Sequence, residues 1–408
     1  MKQNFYDLEE KKMKLSKRIL AAAASACMTS ALFTACGGAA PAANNTVDTA
    51  AETTAAAGAD TASATVFRIG GMGPLTGDAA SYGISVRNGA QVAVDEINSA
   101  GGVNGMKLEL IFEDDECNEE KAVSAYNKLM DSKVNAIVGA TTSGCSIAVG
   151  EESHNDNILQ ITPSGSAQDC TKYSNEFRIC FTDPLQGEVM AKYIKDNGFN
   201  NVAIIYDVAS DYSKGIHDAF VAKAGQLGLG IAADESFTSG DVDFKTQLTK
   251  IKSSGADCIF LPIYYTEVGY ISEQAPTVGV SLPYFGCDGW DGVIAQLNGI
   301  TDNIEGAVFL TPFVATSTKD NVKNFVNAYQ AAYNTTPDQF AADSYDAVYA
   351  IKAAIEQTNG DVTNTALIDA MTKITVNGIT GDMTFTAEGE PNKSAMVAVI
   401  ENGEYVGK

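Results

Sequence analysis

From Thr65 onward the chain alternates apolar, β-branched runs with amphipathic segments, and it does so twice. The stretches FRIGGMGP, KLELIFEDD, NAIVGATT and ILQITPSGS carry the apolar runs expected of strands buried on both faces. Between them Val86, Ala90, Ala93, Val94 and Ile97 recur at helical spacing, as do Ala122, Tyr126, Leu129 and Met130. A strand, helix and strand in succession call for a parallel sheet, because neighbouring parallel strands need a long crossover. After FRICFTDPLQG (177–187) the pattern restarts. NVAIIYDVA, ADCIFLPIYY and LPYFGCDG read as strands, while Phe244, Leu248 and Ile251 mark a helix that Asp243 caps and Gly255 ends. Two such series predict two α/β lobes, duplicated in pattern but not in residues. Beyond GAVFLTPFV the chain reads as helical from Lys319 to Thr372, and TGDMTFTAEGEPNKSAMVAVIENGEY closes as strands around a turn, completing the two lobes without a third core. A length of 408 residues fits this reading, since it exceeds the usual size of one core.

The first residues have a different purpose. KLSKR after Met13 is a basic region, ILAAAASACMTSALF is small and apolar, and TACGG supplies small residues at a cleavage point: the layout of a secretory signal. Translation from Met13 fits that layout better than translation from Met1. Leu32-Phe33-Thr34-Ala35-Cys36 resembles the bacterial lipobox, which makes Cys36 the expected lipidated first residue of the mature chain. Cys27 competes less well because it would shorten the apolar run. The run is also short for a membrane span of about 20 apolar residues. Gly37 to about Ala64 has almost nothing bulky to bury and reads as a disordered tether. The folded part is therefore expected outside the cytoplasm, held to the membrane by lipid alone.

Charge narrows the partners. With 27 basic against 51 acidic residues the net charge is −24, which repels phosphate backbones and excludes nucleic acid. Cys117, Cys145, Cys170, Cys180, Cys258 and Cys287 show no metal-type spacing. Cys170 with Cys180, and Cys117 with Cys145, are the pairs that disulfides could join; buried free thiols are the alternative.

Catalysis and cofactors find little footing. His154 and His217 sit on helices among polar residues and read as surface side chains, so neither a Ser-His-Asp arrangement nor a metal site is expected. IGGMGPLTG lacks the GxGxxG order, and no GxxxxGK[ST] occurs. Small hydroxyl-rich loops are the stronger signal. Ala140-Thr141-Thr142-Ser143-Gly144-Cys145-Ser146 follows one strand and Thr162-Pro163-Ser164-Gly165-Ser166 the next, at the strand ends where open parallel sheets bind ligands. Free amides backed by hydroxyls suit a carboxylate. Equally, Ser143 could be an ordinary N-cap and Ser164 to Ser166 a turn. The stretch FGCDGWDG (285–292) sets Asp288, Trp290 and Asp291 among glycines, without a nucleophile to make the two carboxylates a catalytic pair.

From about Val66 to the C-terminus, GPLTGDAASYGISVRNGAQVAVDEINSAGGVNGMKLELIFEDDECNEEKA, ITPSGS, DFKTQLTKIKSSGAD and FGCDGWDG together resemble the extracytoplasmic branched-chain amino acid binding proteins of ABC transporters. The resemblance implies a type I periplasmic binding protein: two Rossmann-like α/β lobes, three crossover segments and a ligand cleft between them. It implies a signal peptide over 1–36, a tether over 37–65, one lobe from 66–182 plus 312–386 and the other from 183–311 plus 387–408. Carried over position by position, it puts Tyr82 at the cleft mouth and Ser143 on the ligand carboxylate. It puts Ser164, Gly165 and Ser166 on carboxylate and ammonium, Tyr212 and Tyr264 against the ligand, and Asp288 on the ammonium. Trp290 is expected to wall the side-chain pocket, and Asp291 to be a solvated N-cap. Gly286 and Gly289 are expected to let the backbone turn freely. Asp288 is shorter than the glutamate of some members, and Cys145 lies a few positions beyond the expected partner of Cys117. The implied function is capture of an amino acid by a monomer that delivers it to permease and ATPase subunits, without cofactor or catalysis. The alternative is the same fold binding an amide or aromatic acid for uptake or sensing.

Overall fold

The computed structural model describes residues 65–408. The signal peptide, Cys36 and residues 37–64 of the expected tether lie outside the described residues. The first apolar series folds into a five-stranded sheet of order β2-β1-β3-β4-β5: β1 (Val66–Gly73), β2 (Lys107–Asp114), β3 (Ala136–Val138), β4 (Gln160–Thr162) and β5 (Glu176–Arg178). All its pairings are parallel. The Ala80–Ser99 and Gln339–Gln357 helices bury Ala90, Val94, Ala342 and Ile351 with one core of this sheet, which includes Phe67, Ile69 and Val138. The Glu119–Asp131 and Ser143–Asn155 helices contribute Tyr126, Leu129 and Val149 to a second core, with Met72 and Ile137. This accounts for the continuous apolar runs of the strands: both faces are covered.

The second series forms a seven-stranded sheet that holds β6 (Asn201–Asp207), β7 (Gly230–Phe237), β8 (Cys258–Leu261), β9 (Tyr284–Gly286) and β10 (Val308–Thr311). Two strands from the tail, β13 (Met396–Glu401) and β14 (Glu404–Gly407), extend it antiparallel beyond β10. The remaining two, β11 (Val376–Gly378) and β12 (Gly381–Met383), pair as a separate hairpin. The chain thus passes from the first sheet to the second after β5, returns after β10, and crosses once more before β13. That completion of both lobes by the tail is what the sequence pattern predicts.

Several local expectations meet a different outcome. The helix marked by Leu248 and Ile251 runs Lys245–Ser254 and ends on Gly255 at φ 80°, as read, but Phe244 and not Asp243 holds the N-cap position; Asp243, one residue earlier in the chain, accepts from the Lys245 N–H at Oδ1. β7 gives no strong sequence signal, because GIAADESF is mostly half-buried or exposed. His217 is a buried residue, not a surface one: its ring contacts the carboxylates of Asp218 and Asp234 and stacks on Tyr206. The six cysteines among the described residues are free. Cys170 is turned to the Ser143 carbonyl, while Cys117 lies beside both the Thr142 hydroxyl and the Cys145 thiol without a bond joining the sulfurs, so of the two readings the free thiols are what the structure has.

Candidate functional site

The strand order reverses between β1 and β3 in one sheet and between β6 and β8 in the other, and ligands of open α/β sheets settle at such points. The loops leaving β3 and β4 supply one wall of a cleft. Ser164 Oγ donates to the Thr141 carbonyl at 2.6 Å, and Thr162 Oγ1 donates to the Ala140 carbonyl at 2.7 Å while accepting from the Gly165 N–H at 2.8 Å. Ser143 begins its helix, but the cap position belongs to Thr142. Its Oγ instead accepts from the N–H groups of Ser166 (3.1 Å) and Ala167 (3.2 Å), tying the two loops together.

Arg178 holds this wall from beneath. Fully buried at the end of β5, it donates from Nη1 to the carbonyls of Gly165 and Ala167, at 3.0 and 2.9 Å, and from Nη2 to the Gln168 carbonyl. Glu390 lies 2.9 Å from Nη2 and balances the charge. A buried guanidinium needs its donors met, and here both terminal nitrogens are, while Nε has no partner. The sequence signal was available: an arginine inside the apolar stretch FRICF has to be paired.

The opposite wall comes from the second lobe. Asp288 is buried, and its Oδ1 accepts from the Tyr212 hydroxyl at 2.7 Å. Its backbone N–H donates to Gln186 Oε1 at 3.0 Å, and Gln339 Nε2 donates to its carbonyl. Burial pushes the Asp288 carboxyl up to about 6, against the hydrogen bonds from Tyr212 and Gln186 that favour the charged form. The Tyr212 oxygen in turn accepts from the Gly289 N–H at 2.9 Å.

The two walls meet on aromatic rings. Tyr82 lies 5.2 Å from Tyr264 and 4.1 Å from Phe340 between centroids, and Tyr212 lies 5.0 Å from Tyr264. The Tyr82 hydroxyl donates to the Gly289 carbonyl and accepts from the Tyr265 N–H; Thr266 Oγ1 donates to the Asp78 carbonyl at 2.8 Å. Contacts of this kind close one lobe on the other, and Tyr82 and Phe340 join the apolar core of the second sheet. A ligand therefore reaches the interior only when the lobes separate.

A small cavity of about 10 Å³ marks the meeting point, lined by Tyr82, Ser164, Tyr212, Tyr264 and Asp288 among the expected residues, with Thr141, Thr142, Gly289 and Phe340 besides. Thr142, Tyr212 and Tyr264 also line a neighbouring chamber of about 270 Å³ at the cleft mouth. Asp78, Glu116, Glu119, Asp207, Asp211 and Glu267 surround that chamber, with no lysine or arginine.

Four expected residues are not on the cavity wall. Ser143, Gly165 and Ser166 lie behind Ser164, joined to it through the loop just described. Trp290 is a core residue: it is fully buried, donates from Nε1 to the Leu261 carbonyl at 2.9 Å, and packs on Gly286, where a Cβ would stand 2.2 Å from the indole. Gly286 is thus required for close packing, and Gly289 likewise, since a Cβ there would meet the Tyr212 hydroxyl at 2.7 Å; neither has a positive φ. Asp291 is buried, not solvated, and its Oδ2 accepts from the Gln339 N–H at 3.1 Å, across the lobes. Phe340 escaped the sequence reading because it lies about 50 residues beyond FGCDGWDG, on a helix of the other lobe.

Comparison with known proteins gives a consistent picture. The family model described as periplasmic binding protein matches residues 66–404. The Leu/Ile/Val-binding protein BraC3 of Rhizobium johnstonii is 36% identical over 329 residues, covering 78% of this chain and 88% of its own. Among solved structures, the branched-chain amino acid transporter substrate-binding protein LivJ of Streptococcus pneumoniae, in complex with isoleucine, is 32% identical. It aligns with a TM-score of 0.77 over 84% of this chain and 100% of its own. The leucine-binding protein LivK of Thermotoga maritima is 29% identical, with a TM-score of 0.78 over 84% of this chain and 97% of its own.

Proposed function

Because the chain belongs to the periplasmic binding protein family, we propose that it captures a branched-chain or other apolar amino acid between its lobes and hands it to an ABC permease driven by ATPase subunits. One observation carries the ligand class. Asp288 is a buried carboxylate with no basic side chain among its hydrogen-bond partners, and it faces a hydroxyl and amide wall across an aromatic-lined cavity. An α-ammonium supplies the missing cation, and the loop amides with the Thr142 and Ser143 hydroxyls receive the carboxylate, since the hydroxyls of Ser164 and Thr141 already donate to the carbonyls of Thr141 and Met72. Tyr82, Tyr212, Tyr264 and Phe340 offer rings to an apolar side chain. The acidic chamber at the mouth repels ligands with a second carboxylate. The names of BraC3 and LivJ support the same ligand class.

Closure follows from this division of labour. The ligand settles on one wall, and its contacts to the other lobe stabilise the shut form that the permease recognises. A micromolar dissociation constant corresponds to about −8 kcal/mol, within reach of a few charge-assisted hydrogen bonds and one apolar pocket. The protein acts by binding, without turnover and without a cofactor. We place it outside the cytoplasm as a monomer, lipidated at Cys36 and tethered through residues 37–65, with lobes of residues 66–182 plus 312–386 and 183–311 plus 387–408.

A thermal-shift panel of the twenty amino acids tests the ligand class. Leucine, isoleucine or valine raises the melting temperature and glutamate does not; stabilisation only by compounds lacking an α-ammonium would refute the assignment.

A further inference from the structure

Behind the cavity, the turn that carries Asp288 is gripped from the other lobe by the start of the Gln339–Gln357 helix. Gln339 is buried and uses both its side chain and its backbone. Its Nε2 donates to the Asp288 carbonyl, and its N–H donates to Asp291 Oδ2 at 3.1 Å. Asp291 belongs to the same turn as Asp288, because its own N–H donates to the Asp288 carbonyl at 3.1 Å. One carboxylate of that turn therefore faces the cavity and the other faces the helix. Asp291 lines neither the cavity nor the chamber at the cleft mouth.

The first N–H groups of a helix have no partner inside it. The cap residue Asp338 serves the third position: its Oδ1 accepts from the Ala341 N–H at 2.9 Å, while its Oδ2 accepts from the Ser85 hydroxyl at 2.5 Å. A capping side chain reaches the second or third residue and not the first. The N–H of Gln339, at the first position, is thus left for an acceptor from elsewhere, and Asp291 brings it across the cleft. Burial and the Asp338 carboxyl push Asp291 up, as expected where two acids meet at one helix end, and either protonation state keeps an acceptor oxygen.

We propose that Asp291 is a positioning residue that latches the cleft: its bond to the Gln339 N–H forms only as the lobes meet, seats the Asp288 turn against the cavity and sets how long a ligand stays. Because Asp291 touches no ligand, it governs residence and leaves recognition to the cavity residues. This role rests on the amino acid reading of the site.

Stopped-flow fluorescence on the full protein, following its tyrosines and single tryptophan, gives kon and koff for L-leucine. Asp291→Ala raises koff by about tenfold or more and leaves kon within about twofold, since the ligand enters before the latch forms. Asp291→Asn retains an acceptor oxygen and keeps koff within about threefold of the wild type. A second pair of variants removes the donor. Proline suits the first helical position, and Asp338 before it is already extended at φ −99° and ψ −176°, as a residue preceding proline must be. Gln339→Pro therefore deletes the N–H and keeps the helix, while Gln339→Ala keeps the N–H and controls for the lost side chain. Asp291→Ala raises koff about tenfold in the Gln339→Ala background and less than about twofold in the Gln339→Pro background. Should Asp291→Ala fail to fold, Gln339→Pro against Gln339→Ala carries the test alone, with the same rise in koff. A loss of affinity that falls on kon, or an equal effect of Asp291→Ala in both backgrounds, overturns the proposal. Normal leucine binding with koff unchanged by Asp291→Ala overturns this inference alone. A folded wild type that binds neither leucine nor any other α-amino acid overturns the amino acid reading and this inference with it.

Discussion

The two walls of the cleft are built on different principles. The wall from the first sheet is neutral: small hydroxyls and backbone amides, cross-linked by Ser143 and pinned from below by the buried Arg178. The wall from the second sheet carries the charge, in Asp288, together with Tyr212 and Tyr264. The neutral wall is tied together by hydrogen bonds among its own loops, without a charged side chain on the cavity. The charged wall holds a carboxylate out of water at a cost, and recovers it when a cation docks. The comparison teaches that shape and anchoring belong to one side, and discrimination and pH sensitivity to the other.

The largest effect falls on the charged wall. Asp288→Ala should weaken leucine binding by about a hundredfold or more, as expected for losing one partner of a buried charge pair. Ser143→Ala should cost less, about 1.5 kcal/mol or roughly tenfold, because neighbouring amides remain. Calorimetry that found the two equal would remove the distinction between the walls.

The smallest effect is the dependence on pH. Burial raises the Asp288 carboxyl to about 6, and an ammonium binds its ionised form. Leucine affinity should hold above pH 6 and decline as the carboxyl takes up its proton, by about fourfold between pH 7 and pH 5.5. The sign for stability is opposite. A carboxyl raised above its unfolded value binds its proton more tightly in the fold, so without ligand Asp288 contributes less stability as pH climbs from about 4 to about 6. Asp288→Asn should flatten the affinity profile and Ser143→Ala should leave it intact; a profile that survives Asp288→Asn would place the titrating group elsewhere.

What the sequence disclosed, and what it withheld, follows from how local each feature is. The parallel sheets were legible because strands covered on both faces must be apolar at successive positions, and Leu248 and Ile251 gave their helix away by period alone. β7 was not, since its half-exposed residues alternate too weakly. Tyr82, Ser164, Tyr212, Tyr264 and Asp288 were named from family resemblance, and the structure brings them to one cavity. Trp290 was misplaced because its partners, Gly286 and the Leu261 carbonyl, are fixed by packing between strands, which FGCDGWDG does not reveal. Phe340 and Arg178 depend on contacts between segments distant in sequence. Asp291 looked like a surface cap because its partner, Gln339, arrives from the other lobe.

A crystal structure with L-leucine tests the central claim most directly. The account predicts the ammonium within hydrogen-bonding distance of Asp288 and the carboxylate on the Ser143 and Ser164–Ser166 loops, with the side chain among the rings of Tyr82, Tyr264 and Phe340. A ligand seated in the reverse sense, or bound away from Asp288, would contradict it.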